Sequence, residues 1–297
     1  MKTLTVLLFF ISFQLLHSQE DTFFDSFQAI KKSDLVFYDA NGISITTESY
    51  RYSFSEKNLK KVFRKTKNNF KRVKKFIDTV LSARNYYLIN NKNLTKDIVS
   101  YNVTYYVENS NEISIFYFGG LKKINTEFCR IFIEKFINNK IPKSIYVSQR
   151  IDSIKFLGRN IVLGRNCNWM GVRNVQCPYN GQMSWTTHKT LKEAILDNKT
   201  SQLLSENMKP AKKVISKDSV DIIFEGKNTK ALKVIYDLKG FNSLLLNATS
   251  GAKTLIAYYV AENIRNTYVS CVLSHWDNDT IRKSGLPPLL EETMELK

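Results

Sequence analysis

The chain has 297 residues, of which 43% are hydrophobic and 24% charged, and its 44 Lys and Arg outnumber its 27 Asp and Glu. This composition excludes intrinsic disorder, collagen, coiled coil and a polytopic membrane protein. The length fits one large or two small domains, with enough apolar residues for a core that does not depend on disulfides.

The N-terminus has the pattern of a secretory signal peptide. Lys2 precedes an uncharged run over residues 4–16, and the small Ser18 predicts cleavage before Gln19. The alternative is an uncleaved anchor, but an apolar run of this length is shorter than the roughly 20 residues of a membrane-spanning helix. We therefore expect residues 1–18 to be a signal peptide and the mature protein to be exported, either to the periplasm or as a secreted protein.

The next elements are a hairpin and a basic segment. Alternating apolar residues predict strands at 35–38 and 43–45, which an Asn-Gly turn joins. Ten Lys and Arg and two acidic residues then stand between residues 56 and 81, while apolar residues recur at steps of three and four. This pattern predicts a long basic amphipathic helix over residues 56–82, with Val73 and Ile77 in its buried stripe.

Two interpretations of this basic helix are open. It packs on a sheet with a solvated basic back, or it makes a weak contact with an anionic surface, such as a membrane or a polyanion. We favour packing, because a helix on a sheet has an apolar stripe of this width. Nucleic acid is not an expected partner, since export removes the chain from most nucleic acid and no binding motif accompanies the charge.

The rest of the first half predicts a second hairpin, over residues 98–107 and 112–118, and a helix over 125–137. Together these elements predict an α+β fold, with mostly antiparallel sheet and helices packed on one face. The best boundary lies near residues 138–143. We therefore expect an N-terminal α+β domain over residues 19–141 and a C-terminal one over 142–297, with one continuous domain as the alternative.

The second half is predicted to be strand-rich. Strands are expected at 151–157, 161–163, 220–225, 232–237, 243–246 and 268–273, a helix at 190–208, and a short terminal helix after Pro287-Pro288. Polar residues at 197–200 indicate a break in the 190–208 helix. The segment 255–260 fits either a strand or a helix.

Four cysteines gain meaning from the predicted export, because thiols tend to pair in an oxidising compartment. Cys167 and Cys177 enclose a short loop and are the predicted disulfide. Cys129 and Cys271 stand in apolar runs, as two buried free thiols or as a second bridge. Zinc is disfavoured because the chain has no C-x-x-C pair and no H-x-x-x-H, so we expect neither a metal nor a cofactor.

The rare aromatic and histidine residues fall into two segments of the second half. One contains Trp169, Arg173, Tyr179, Trp185 and His188, and the other is His275-Trp276-Asp277, with Asp279 close by. If the two segments meet, they form a cleft with aromatic walls, Arg173 for an anionic group, and His188 or His275 paired with Asp277 or Asp279 as acid and base. The alternative is a small second core, with tryptophans as filling and histidines as incidental hydrogen-bonding residues.

Three functions follow from these features. The absence of a catalytic motif favours a non-enzymatic envelope or secreted protein that binds an unknown ligand or envelope component. The first alternative is a hydrolase of glycans or other polymers that uses a His and a carboxylate. The second alternative is an anionic membrane-surface binder, so enzymatic and non-enzymatic functions are both open at this point.

Overall fold

The computed structural model describes residues 22–96, 98–148, 151–164, 166–207, 213–237 and 251–297. The predicted signal peptide, its cleavage site and the strand predicted at 243–246 lie outside these residues. The described residues divide into two compact units, of which unit 1 comprises those within 22–90, 102–119 and 124–147, and unit 2 comprises those within 91–101, 120–123 and 148–297. The division into two domains at residue 141 stays a prediction.

Most of the first half forms one antiparallel sheet. Its strands are β1 (Phe27–Lys32), β2 (Leu35–Ala40), β3 (Ile43–Tyr50), β4 (Asn85–Ile89), β5 (Lys92–Asn93), β6 (Val99–Asn109) and β7 (Glu112–Gly120). Their order is β1-β2-β3-β7-β6-β4, and β5 pairs with the start of β6. Both predicted hairpins are confirmed, whereas β1 and β4 were not predicted.

The basic helix is shorter than the sequence predicts. Helix α1 (Glu56–Lys65) begins at Ser55, whose Oγ accepts a hydrogen bond from the Asn58 amide. It ends because Lys67 adopts a left-handed conformation with φ 58°. The amides of Lys67 and Asn68 then donate to the carbonyls of Arg64 and Phe63, which is a Schellman motif. The prediction of a helix over 56–82 is therefore wrong beyond residue 65.

The two helices of unit 1 lie on opposite faces of the sheet, so the expectation of helices on one face is wrong. Phe63 of α1 stacks on Tyr106 of β6, with ring centroids 3.9 Å apart. Phe132 belongs to helix α2 (Thr126–Ile137), and its ring lies 5.9 Å from that of Phe118, which in turn contacts Tyr105. Because consecutive residues of a strand point to opposite faces, Tyr105 and Tyr106 lie on the two faces that these helices cover.

Unit 2 contains a second antiparallel sheet and a separate hairpin. The hairpin is β8 (Ser153–Phe156) and β9 (Arg159–Val162). The sheet has the order β10-β11-β12-β16-β15-β14-β13-β17, with strands β10 (Asn168–Gly171), β11 (Asn174–Cys177), β12 (Gly181–His188), β13 (Lys213–Phe224), β14 (Lys227–Asp237), β15 (Thr254–Ile264), β16 (Thr267–Trp276) and β17 (Met294–Leu296). The ambiguous segment at 255–260 is thus a strand.

Both faces of this second sheet are covered. Helix α3 (Leu191–Asn207) packs on one face and carries Asn198, whose Nδ2 donates to the carbonyls of Val260 and Cys271. The other face packs against the β8–β9 hairpin and the short helix α4 (Pro288–Glu291). A Cβ atom at Gly181 would lie only 2.7 Å from Leu290 Cδ1, so glycine lets α4 approach β12 closely. Among the helices that the structure describes, none is both long and apolar enough to cross a membrane.

Candidate functional site

The three tryptophans do not line one cleft. The rings of Trp169 and Trp185 lie 5.8 Å apart, and Phe156 of the β8–β9 hairpin contacts Trp185 at 5.4 Å. All three rings belong to the core between the hairpin and the sheet. Trp276 packs on the opposite face, in the apolar cluster that contains Tyr259. Trp169 and Trp185 thus pack within the core of unit 2, while Trp276 packs separately on the other face of the sheet.

Arg173 and Tyr179 flank β11 and therefore lie at its two ends. The Arg173 Nη1 donates a hydrogen bond to Thr187 Oγ1 at 2.9 Å. Tyr179 is 59% exposed, and its carbonyl accepts from the Thr280 amide at 2.8 Å. The two side chains therefore do not converge on one ligand.

The sheet register also separates the two histidines. His188 pairs with Tyr268 of β16, seven residues before His275 on that strand. At a rise of about 3.4 Å per residue, His188 and His275 are separated by about 24 Å along the strand. The register therefore does not bring the two histidines together, which the cleft interpretation requires.

His188 has a carboxylate partner that the sequence did not reveal. Its Nε2 lies 3.4 Å from Asp197 Oδ2, on the facing side of α3, and the Thr186 hydroxyl donates to the same oxygen. Burial acts to raise the pKa of Asp197, but the hydrogen bonds from His188 and Thr186 outweigh it and hold this pKa below its usual range. Only 7% of the His188 side chain is exposed. The pair is thus enclosed and attaches α3 to the sheet.

His275 is buried and stacks on Tyr258, with ring centroids 6.4 Å apart. Burial lowers its pKa, so the ring is neutral at pH 7. Asp279 is buried as well, which raises its pKa, and its Oδ2 accepts from the Trp276 amide. Asp277 is exposed and accepts from the Lys253 amide at 2.9 Å. These carboxylates therefore serve first as backbone hydrogen-bond acceptors that shape the turn after β16.

The predicted disulfide between Cys167 and Cys177 is present, with Cα atoms 4.2 Å apart. Cys129 and Cys271 are buried free thiols, and burial raises the pKa of Cys129 to about 12. In the described ranges, no group of three or more His, Cys, Asp or Glu side chains could hold a metal ion.

A concentration of positive charge in unit 1 is the strongest candidate for a binding surface. It consists of ten Lys and Arg of α1 and the following segment, and all except the half-buried Lys75 are exposed. We call it the basic surface: Lys57, Lys60, Lys61, Arg64, Lys65, Lys67, Lys71, Arg72, Lys74 and Lys75. Within the part of the chain that the structure describes, only Lys60 of this set forms an ion pair, with Glu56 at 2.6 Å. The positive charge of the surface is therefore largely uncompensated.

Aromatic rings hold several of these ammonium groups in place. Lys65 Nζ lies 4.5 Å from the ring centroid of Tyr50, and Lys75 Nζ lies 4.4 Å from that of Phe70. The face of an aromatic ring attracts a cation, so these contacts keep the charges outside the core without neutralising them. Tyr50 also donates to Glu48 at 3.0 Å, and burial raises the pKa of Tyr50 to about 12, so its hydroxyl stays protonated.

Two exposed apolar side chains lie at the end of the basic surface. Ile77 is 62% exposed and Val80 is 69% exposed, although the sequence placed Ile77 in a buried stripe. We call these two residues the apolar tip. Between them, Asp78 is buried and accepts from Arg130 Nε at 2.7 Å and from the Tyr105 hydroxyl at 3.2 Å. The buried Asp78 thus fixes the chain in a position from which both neighbours project into solvent.

The carboxylate of Asp78 is charged in this setting. Burial acts to raise its pKa, but Arg130 and the Val80 amide more than offset this effect and leave the pKa below its usual range. A charged acceptor binds Arg130 more strongly than a neutral one. The fixed position of the apolar tip therefore depends on a charge-assisted hydrogen bond.

Cavities with cationic side chains flank the apolar tip on both sides. One, of about 750 Å³, is lined by Ile77 together with Lys75 and Arg84. The other, of about 510 Å³, is lined by Val80 and Ile131 and by three cations, Arg130, Lys135 and Lys140. Carboxylates line both cavities as well, and Arg84 and Arg130 form ion pairs with Glu108 and Asp78, so the cations next to the tip are partly compensated.

Comparisons of the chain with protein-family models, with curated proteins and with solved structures find no match. The functional interpretation therefore depends on the geometry of the chain itself.

Proposed function

We propose that the chain is an exported, non-enzymatic binding protein that uses the basic surface of unit 1 to bind an anionic partner. The observation that carries the proposal is the concentration of exposed, uncompensated cations on α1 and the segment after it. The disulfide between Cys167 and Cys177 is consistent with export, because such bonds persist in oxidising compartments.

The physical basis of binding is electrostatic. Charges separated by less than the Debye length, about 8 Å at physiological ionic strength, act together on an approaching anion. Neighbouring cations of α1 lie one helical turn apart, about 5.4 Å along the axis, so their fields add. Such a surface accelerates association with an anionic partner and weakens as salt is added.

A hydrolytic function receives no comparable support. His188 is enclosed beneath α3, and His275 is buried against Tyr258. His275 interacts electrostatically with the buried Asp279 and the exposed Asp277, but both carboxylates already accept hydrogen bonds from backbone amides. We therefore assign the His188–Asp197 pair a structural role.

The proposal is tested by retention of the purified protein on immobilised heparin, a polyanion, over a salt gradient. We expect the triple variant Lys71→Gln, Arg72→Gln and Lys74→Gln to elute at clearly lower salt than the unmodified protein. These three side chains are exposed, so the fold should persist, and far-UV circular dichroism verifies this.

A matched control removes the same number of charges elsewhere. Lys155, Lys192 and Lys283 are exposed in unit 2, and their replacement by Gln lowers the net charge equally. We expect this variant to elute close to the unmodified protein. Equal shifts for the two variants would mean that net charge alone governs retention, and the proposed surface would be wrong.

A further inference from the structure

We infer that the anionic partner is a lipid bilayer, whose headgroups contact the basic surface while Ile77 and Val80 enter the interfacial region. This inference rests on the proposed function and specifies its partner. The apolar tip is the main reason for choosing a bilayer, because a purely hydrophilic polyanion would not bury two exposed apolar side chains.

The combination of the tip with its surroundings distinguishes it from ordinary exposed residues. Single exposed apolar side chains are common on protein surfaces and need no explanation. Here, however, Ile77 and Val80 are two of the most exposed large apolar side chains in the described ranges, and they flank the same buried residue. Cations line the cavities on both sides of them. Exposed apolar side chains next to a segment rich in Lys and Arg are typical of surfaces that bind anionic membranes.

Backbone amides in and next to the tip already donate hydrogen bonds within the protein. The Asp78 amide donates to Asn85 Oδ1 at 2.9 Å, and the Val80 amide donates to Asp78 Oδ1 at 3.1 Å. The Ser82 amide donates to Glu134 Oε1 at 3.0 Å. Polar groups that lose water without another partner oppose membrane insertion. Because these three amides already have acceptors, the tip can enter the interface without leaving them unpaired.

The charge that favours an anionic bilayer over a neutral one lies mainly in the segment before the tip, since the cavity beside Ile77 has two cations and two carboxylates. The cavity beside Val80 contains Glu127 and Glu134 as well as its three cations, so its balance is only weakly positive. The segment before the tip supplies the larger excess, with Lys71, Arg72 and Lys74 exposed. Near an anionic surface each such cation strengthens binding by about fivefold, so the basic surface supplies the attraction and the tip adds to it.

The inference is tested with vesicles that contain phosphatidylcholine and phosphatidylglycerol, and with vesicles of phosphatidylcholine alone. We expect the full chain to sediment with the anionic vesicles. The double variant Ile77→Ser and Val80→Ser should bind them about tenfold more weakly, since apolar area no longer leaves water, while its retention on heparin stays unchanged. The matched control is Val162→Ser and Ile215→Ser, which removes one exposed Val and one exposed Ile from unit 2.

A second variant reports the position of the tip directly. Tryptophan in place of the exposed Val80 should give a blue-shifted emission with anionic vesicles, after subtraction of the signal of the unmodified protein. Unchanged emission, or equal vesicle binding by the two serine variants, would overturn the inference.

The outcomes also separate this inference from the proposed function. Binding to heparin that depends on Lys71, Arg72 and Lys74, without any binding to vesicles, would refute the bilayer and leave a soluble polyanion as partner. If the unmodified protein bound neither heparin nor anionic vesicles, the proposed function itself would be refuted.

Discussion

Replacement of Asn85 by Ala is the most direct test of how the apolar tip is held. The Asn85 side chain is buried and forms three hydrogen bonds with backbone groups of the loop over residues 78–83. Its Oδ1 accepts from the Asp78 amide at 2.9 Å, and its Nδ2 donates to the carbonyls of Asp78 at 2.9 Å and of Ala83 at 3.0 Å. Each bond contributes about 1 kcal/mol net, and alanine leaves all three backbone groups unpaired, so the expected loss is about 3 kcal/mol.

Two measurements check this value. Urea unfolding followed by far-UV circular dichroism gives the change in the free energy of unfolding, and hydrogen exchange gives the local opening of the Asp78 amide. A loss of about 3 kcal/mol corresponds to exchange that is faster by about a hundredfold. The control is Asn93→Ala, whose side chain is exposed in β5 and should change stability by less than about 0.5 kcal/mol. If Asn85→Ala also changed the free energy of unfolding by less than about 0.5 kcal/mol, the Asn85 side chain would not stabilise this loop as argued.

Four further predictions follow from the contacts described. Replacing Cys167 and Cys177 by Ala should lower the free energy of unfolding by about 3 kcal/mol, from the entropy of a loop with a sequence separation of 10, and dithiothreitol should then have no additional effect on urea unfolding. Asp197→Asn should cost about 2 kcal/mol at pH 7, because an amide replaces a charged acceptor. Because the pKa of Asp197 is lowered in the folded protein, its carboxylate stabilises the fold above the unfolded-state pKa near 4, and this stabilisation is lost as the pH falls. The free energy of unfolding of Asp197→Asn should therefore decrease less steeply with acid than that of the unmodified protein. Equal slopes for the two proteins would contradict a lowered pKa of Asp197. Val73→Asp should destabilise by about 1 to 2 kcal/mol without unfolding the protein, since Val73 is only half-buried and lies outside the helix; complete unfolding in thermal melts would contradict this. Lys65→Gln should cost about 0.5 kcal/mol through loss of its contact with an aromatic ring, and stabilisation in urea unfolding would be the opposite of the expected result.

The sequence was sufficient for much of the local structure. Helix α2 and the β6–β7 hairpin were expected close to their observed bounds, because helical spacing and strand alternation are local patterns. The end of α1 was missed because apolar residues continue at helical spacing past Thr66. The signal that could have shown it is the polar run of Thr66 to Asn69, which contains weak helix formers. The left-handed conformation of Lys67 within this run is not predicted by any spacing rule.

The candidate site depended on tertiary contacts that local patterns do not contain. The polar residues at 197–200 were expected to break the second-half helix, yet Asp197 and Asn198 are the residues that attach α3 to the sheet. Polar residues on the inner side of a helix are favourable when each has a partner, and those partners lie on strands distant in sequence. The separation of His188 and His275 likewise results from a tertiary contact, the pairing of β12 with β16, which local sequence patterns do not contain.

The separation between buried residues that hold the loop around Asp78 and exposed residues proposed to bind the partner has a consequence for the evolution of this protein. Asp78 and Asn85, which hold the loop, are buried, whereas the residues proposed to contact the partner are exposed except for the half-buried Lys75. Substitution of an exposed Lys, of Ile77 or of Val80 therefore costs little stability. Under the proposed function, selection can therefore adjust the affinity for the partner one residue at a time, in either direction, while the buried Asp78 and Asn85 keep the position of the loop constant.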